Sequence, residues 1–256
     1  MSGKESKFQY TKAIVCGVPH SLPAAAQRQN HPSEPVDFNK AVRQHCEYVR
    51  ALKNIGLEVT ELPADEQYPD CVFVEDVGVV CDGVALVARL GHPTRRGEST
   101  RMKTTLQKLG LVQVVEMNQP ALLDGGDDES SRIEQFSRNI PQLPCDGISV
   151  TEHLHLKSMM TMASDDIIVV GGSDEAQNAW LEVEKKAKFQ YKKLMVPDDT
   201  AANCMFVNGT LIHLATAEIP NSVEVFNQIP GQKMELENSE LSKVDGCLTC
   251  LSILLM

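Results

Sequence analysis

The sequence has no apolar stretch that could span a bilayer. Its longest uncharged apolar run is Leu248 to Met256, well short of the ~20 residues a membrane helix needs. Met1 to Tyr10 is polar and carries no core of signal-peptide length, so a soluble, cytoplasmic protein is expected. Basic patches are also missing; the densest candidates are Arg95-Arg96 and Lys185-Lys186. Thirty-five acidic residues stand against 24 Lys and Arg, for a formal charge of −11. Such a surface repels phosphate backbones and draws in small cations, which argues against nucleic acid and membrane as partners. There is no disulfide framework either. The eight cysteines, at 16, 46, 71, 81, 145, 204, 247 and 250, are scattered through apolar segments and read as reduced, buried thiols.

What is present is a weak structural repeat. Lys12 to Val18 reads as a strand, and the polar, proline-rich Pro19 to Val36 as a long loop of the kind that is functional or mobile. Asp37 is a plausible N-cap for a helix to about Asn54, stopped by Gly56, with a strand at Leu57 to Leu62. From Cys71 the order is strand, strand, helix, strand, with Asp82-Gly83 as a hairpin turn, a helix over Glu98 to Leu109 and a strand over Val112 to Met117. The order recurs in Leu156 to Met162, Ile167 to Val170, Ser173 to Ala187 and Tyr191 to Val196. It recurs again from Met205 through the Asn208-Gly209 turn, Thr210 to Leu214, a helix from Pro220 and a strand near Met234. Leu248 to Leu255 is a last apolar strand, whose unit the N-terminal segment would complete. A period of roughly 40–45 residues fits radial stacking of equal units, and joining the two end segments would close a ring. An ordinary mixed α/β sheet fits the same pattern. At 256 residues the chain is read as one domain, 1–256.

Four groups of residues could carry chemistry. Asp70, Glu75 and Asp76 surround a short apolar run read as a buried strand, and adjacent carboxylates there call for a cation, either a metal or a guanidinium or ammonium ligand. Leu123-Asp-Gly-Gly-Asp127 is a second acidic site whose glycine pair lacks the spacing of a phosphate-cradling motif. His153, His155 and Lys157 alternate with apolar residues along an expected strand. With no further HxH and no paired CxxC, a closed zinc site is not supported, and acid–base use of a histidine is the next reading. Cys247-Leu-Thr-Cys250 precedes an apolar strand rather than a helix, which fits a single nucleophilic cysteine better than a redox pair.

Taken together, the blocks Leu62-Pro-Ala-Asp-Glu66 with Pro69-Asp-Cys-Val-Phe-Val-Glu-Asp-Val77, Leu123-Asp-Gly-Gly-Asp127, Leu154-His-Leu-Lys-Ser158, Val196-Pro-Asp-Asp199 with Ala201-Ala-Asn-Cys204, and Lys243-Val-Asp-Gly246 with Leu248-Thr-Cys250 carry a resemblance. The chain resembles the dimethylarginine dimethylaminohydrolases, within the guanidino-group-modifying enzymes that include arginine deiminase. The resemblance implies a five-bladed α/β propeller of ββαβ modules with pseudo-fivefold symmetry. It implies Cys250 as nucleophile, His155 as general acid and base, and Asp124 as the acid orienting it. Asp70, Glu75 and Asp76 would hold a guanidinium, Arg95 would clamp the substrate α-carboxylate, and Val244 would offer a backbone contact. The implied substrate is a small cation, a methylated arginine, hydrolysed to citrulline and an alkylamine through a cysteine thiouronium, which relieves inhibition of nitric oxide synthesis. No metal or other cofactor is implied, and the expected state is a monomer or weak homodimer.

One departure stands out. After Asp127 the family continues with a hairpin and a segment bearing a second carboxylate-binding arginine, whereas here the chain passes to Asp128-Glu-Ser-Ser-Arg-Ile133. The second module is therefore expected to be shortened, with Arg132 as a stand-in for the missing arginine. A catalytically impaired relative and an arginine deiminase-like enzyme are the alternatives. Pro19 to Val36 occupies the position of a substrate lid.

Overall fold

A computed structural model of the chain describes residues 8–29, 32–81, 83–111, 113–119, 122–123, 147–148, 150 and 155–256. The expected positions of Asp124, Asp127, Arg132, Cys145 and His153, and with them the shortened module, lie outside the described residues.

The elements are β1 (Lys12–Cys16), the single-turn α1 (Leu22–Ala25), α2 (Phe38–Asn54), β2 (Glu58–Leu62), β3 (Gly78–Cys81), β4 (Val84–Val87), α3 (Glu98–Lys108), β5 (Gln113–Glu116), β6 (Met160–Met162), β7 (Ile167–Val170), α4 (Asp174–Lys186), β8 (Lys192–Met195), β9 (Met205–Val207), β10 (Thr210–Leu214), β11 (Gln232–Leu236) and β12 (Ile253–Leu255). The described strands form four three-stranded sheets, ordered β12-β1-β2, β3-β4-β5, β6-β7-β8 and β9-β10-β11. In each, the middle strand pairs antiparallel with one neighbour and parallel with the other. The repeat read from the sequence is thus a repeat of sheets, and the fold is α/β and propeller-like. Segments from the two ends of the sequence share one sheet, with Lys12 opposite Leu255 and also opposite Glu58.

Sequence explains this arrangement locally. The middle strands β4 and β7, Val84–Val87 and Ile167–Val170, are apolar throughout because both faces are covered. Their parallel partners require a crossover. That crossover is α2 in the first sheet, capped by Asp37 accepting from the Lys40 amide at 3.0 Å. It is α3 in the second and α4 in the third, the latter capped by Ser173. In the fourth, the helix expected from Pro220 shrinks to a 3₁₀ segment, Val223–Gln228. The β9–β10 hairpin turns on Asn208 and Gly209, both at positive φ, as a type I′ turn demands. The Asn208 side chain also holds Tyr10 by two hydrogen bonds of 2.7 and 2.8 Å.

Three expected strand segments are corrected. Asp70 to Phe73 is a series of turns followed by the 3₁₀ segment Val74–Val77, closed by Cys71 N–H on the Tyr68 carbonyl and Phe73 N–H on that of Asp70. Leu156–Ser158 and Thr249–Leu251 are also 3₁₀ turns, each preceding its strand. Apolar runs this short do not distinguish a strand from a buried turn. The expected lid loop 19–36 contains α1 and is tied down by Glu66, which accepts from the His20 and Ser21 amides at 2.9 Å each. Among the described cysteines all are free, but only Cys16, Cys71, Cys204 and Cys250 are buried; Cys46 is exposed. No helix among the described residues is long and apolar enough to cross a membrane.

Candidate active site

The turns just named are the key to the site. Each, together with a fourth 3₁₀ turn at Asp199–Ala202, leads into the outer strand of a sheet: Glu75 and Asp76 into β3, His155 into β6, Asn203 into β9 and Cys250 into β12. Equivalent positions of four repeated units therefore converge. A 3₁₀ turn advances about 120° per residue, so the neighbours Glu75 and Asp76 leave it in different directions and serve different partners.

Asp76 faces a cavity of about 210 Å³ lined by Gln27, Arg28 and Gln29, by Asp70, Phe73, Asp76 and Arg95, and by His155, Val244, Asp245, Gly246 and Cys250. Of the seven described residues to which the resemblance gives a role, six meet here. The Asp76 Oδ2 accepts from Arg95 Nη1 at 2.6 Å, while its Oδ1 is buried and has no hydrogen-bond partner. The His155 Nε2 lies 3.7 Å from that Oδ1. Asp70, also buried, accepts from the Gln27 amide at 2.9 Å; burial raises its pKa against the pull of Arg95. Gly246 is required by close approach, since a Cβ would sit 2.3 Å from the Phe73 ring.

Arg95, expected to clamp a carboxylate of the substrate, lines the cavity and is held in place by protein groups. Its Nε and Nη2 meet the two Glu98 carboxylate oxygens at 2.9 and 3.0 Å, and Nη2 also donates to the carbonyls of Asp70 and Phe73. It is 8% exposed. Burial alone would favour loss of its proton, but Asp76 and Glu98 outweigh that and hold it firmly cationic. Such a charge-assisted, two-sided fork fixes the Asp76 carboxylate.

Glu75 does not line the cavity. Its Oε1 pairs with Lys157 Nζ at 2.5 Å and its Oε2 accepts from Thr249 Oγ1 at 2.8 Å. Asn203 closes the same group, accepting from the Thr249 amide and donating to its hydroxyl, both at 3.1 Å, and donating to the Lys157 carbonyl at 3.0 Å. Thr249 precedes Cys250, so the network grips the turn that presents the cysteine. Asn203 and Thr249 lay within the conspicuous sequence blocks without an assigned role; Gln27 to Gln29 had no signal beyond the loop's length.

Cys250 is 6% exposed. A hydrogen bond with the Cys247 thiol, then burial and the anions Glu75 and Asp76, raise its pKa well above the ordinary thiol value. The same bond lowers that of Cys247, with His155 adding to the effect. A cation entering the cavity would offset the charge that keeps Cys250 protonated.

A cysteine, carboxylates and a histidine line one small cavity on repeated α/β sheets, the arrangement that the sequence resemblance implies for a hydrolase of the guanidino-modifying class. The sequence profile described as N,N dimethylarginine dimethylhydrolase, eukaryotic, matches residues 21–132. An N(G),N(G)-dimethylarginine dimethylaminohydrolase of Pseudomonas aeruginosa is 29% identical over 94% of this chain and 98% of its own. An uncharacterized protein of Aeropyrum pernix is 39% identical over 84% of both chains. The crystal structure of a dimethylarginine dimethylaminohydrolase variant, as its adduct with S-methyl-L-thiocitrulline, superposes with a TM-score of 0.84 at 25% identity, covering 96% of this chain and 99% of that one. The chain is thus similar to dimethylarginine dimethylaminohydrolases along most of its length, which indicates a hydrolase acting on guanidino C–N bonds.

Proposed function

We propose that the protein hydrolyses asymmetric dimethylarginine or monomethylarginine to citrulline and the corresponding alkylamine. The observation that carries this reading is the buried Asp76 Oδ1, without a hydrogen-bond partner, on a residue that lines the same cavity as Cys250. A buried carboxylate oxygen without a donor is costly, and a guanidinium N–H supplies the missing bond. The name of the Pseudomonas relative and the thiocitrulline adduct of the solved neighbour support the same substrate class.

In this mechanism Asp76 and Asp70 hold the guanidinium, with Arg95 positioning Asp76. The bound cation favours the Cys250 thiolate, which attacks the guanidinium carbon. His155 gives a proton to the departing amine, leaving a cysteine thiouronium. It then takes one from the water that attacks that carbon, and the collapsing intermediate releases citrulline and restores the thiol. Asp124 is assigned to orient His155, and Val244 to a backbone contact with the substrate. Removal of methylated arginines would relieve inhibition of nitric oxide synthesis. The fivefold propeller is the matching architecture, with a shortened module between β5 and β6, in a single cytoplasmic domain.

The test is release of citrulline from dimethylarginine by the purified chain, with arginine run alongside. Turnover of dimethylarginine well above arginine is expected. Equal turnover would replace the reading with a deiminase-like one, and none with a non-catalytic relative.

Within this reading Glu75 positions Cys250 through Thr249 rather than touching substrate. Thr249→Val leaves Glu75 and Asn203 short of a hydrogen bond, and small displacements of a reacting group are expensive. A fall in kcat of about tenfold or more is expected, with KM little changed and slower alkylation of Cys250 by iodoacetamide. Thr249→Ser, which keeps the hydroxyl, should retain activity. Equal loss in both variants would remove the role.

A further inference from the structure

Two buried cysteines outside the catalytic machinery, Cys16 at the end of β1 and Cys71 in the turn after Asp70, meet in space. Their thiols are hydrogen-bonded to each other. The Cys71 Sγ also lies 4.0 Å from the carbonyl of Gly17, the residue after Cys16. Both cysteines line a second cavity, of about 620 Å³, which shares no described lining residue with the cavity at Cys250. Asp70 thus borders one cavity and its neighbour Cys71 the other.

The surroundings divide the two thiols. The Asp65 amide donates to the Cys71 Sγ at 3.4 Å. Arg101 lines the same cavity and donates from Nη2 to the Pro63 carbonyl, which lies 3.5 Å from the Cys16 Sγ. The hydrogen bond from Cys16, followed by that from the Asp65 amide, holds the Cys71 pKa below the ordinary thiol value against the effect of burial. The same pairing, with burial, pushes Cys16 up. A cysteine that merely fills the core behaves like Cys204, whose pKa burial pushes up to about 12. One thiol that ionises beside one that keeps its proton is the arrangement of an attacking and a resolving cysteine. The backbone holds both in place: β1 is paired on both edges, and the Cys71 N–H closes its turn on the Tyr68 carbonyl at 3.0 Å.

We propose that Cys16 and Cys71 form a redox dithiol site, separate from the catalytic cysteine, which a small hydroperoxide entering the second cavity oxidises to a disulfide. The Cys71 thiolate attacks the peroxide; an S–O bond forms, the O–O bond breaks, and the departing oxygen takes a proton from water. The sulfur loses two electrons to the peroxide and becomes a sulfenic acid. The Cys16 sulfur then attacks it; the S–S bond forms, the S–O bond breaks, and the hydroxyl leaves as water with the Cys16 proton. An external dithiol restores both thiols by exchange and is itself oxidised. The site does not depend on the hydrolase reading.

The experiment treats the reduced full-length chain with hydrogen peroxide and maps its peptides without reduction, for wild type, Cys250→Ser, Cys16→Ser and Cys71→Ser. Wild type should lose both free thiols of the pair to a Cys16–Cys71 linkage, at the same rate in Cys250→Ser, and recover them with dithiothreitol. Cys16→Ser should stop at a sulfenic acid that dimedone labels on Cys71. A wild type in which both thiols stay free, or in which either is joined to another cysteine instead, overturns the proposal. A linkage that forms in wild type but not in Cys250→Ser overturns it too, since the oxidation then starts at the catalytic cysteine. Dimedone found on Cys16 of Cys71→Ser and absent from Cys71 of Cys16→Ser overturns the assignment of Cys71 as the attacking thiol.

Discussion

Cys250→Ser is expected to abolish turnover while leaving the fold intact. The substitution exchanges one small, buried group for another at 6% exposure, and circular dichroism and thermal unfolding should match wild type. A serine hydroxyl in this place lacks a strong base and is a far weaker nucleophile than a thiolate. The neighbouring thiol gives the control. Cys247→Ser keeps a hydroxyl but removes an ionisable thiol whose charge raises the Cys250 pKa, so it should remain active. Its rate of alkylation by iodoacetamide in the absence of substrate should rise at a lower pH. The sign follows from the cause: a group that favours protonated Cys250 is gone, so thiolate forms earlier as pH increases. An inactive Cys247→Ser beside an active Cys250→Ser would exchange the roles of the two cysteines.

The sequence made the repeat legible because each unit repeats the same element order, and because glycine-containing turns such as Asn208-Gly209 fix where a hairpin bends. Its failures were of one kind. Asp70 to Asp76, Leu156 to Ser158 and the start of Leu248 to Leu255 read as strands from their apolar residues, yet all are turns that deliver site groups. An apolar turn buried beneath several sheets has the composition of a strand, and only its tertiary neighbours decide. The site's membership was legible where residue types were unusual: buried carboxylates, one histidine, one cysteine. The division of labour was not. Nothing in the sequence assigns Glu75 to Thr249 and Lys157 rather than to a ligand, because that follows from the direction in which a 3₁₀ turn throws adjacent side chains.

These partnerships explain how so many charges coexist in one place. Glu98, behind Arg95, is raised in pKa mainly by burial and pulled back by the Arg95 fork. Removing Arg95 would strand two acids at once, Asp76 and Glu98. The cost of losing one partner of a buried pair exceeds that of a surface bridge several-fold. The protein thereby holds the acidic groups that line the cavity in fixed positions.

His155→Asn is expected to lower kcat by about 10²-fold or more, the range for loss of a general acid–base group. His155 is 8% exposed, and its Nε2 lies 3.7 Å from the Asp76 Oδ1. It therefore borders the place where the carboxylate and the guanidinium would meet. Asparagine preserves polarity and approximate size but carries no titratable proton, so it cannot protonate the departing amine. If the first half-reaction fails for lack of that acid, a variant given a substrate analogue with a leaving group that needs no protonation should still alkylate Cys250. The second half-reaction would remain slow, because the water loses its base, and the covalent adduct should be observable by intact-protein mass spectrometry. His153→Asn serves as the comparison, since only His155 was assigned the acid–base role. A larger loss in His153→Asn than in His155→Asn would shift the acid–base role to the earlier histidine.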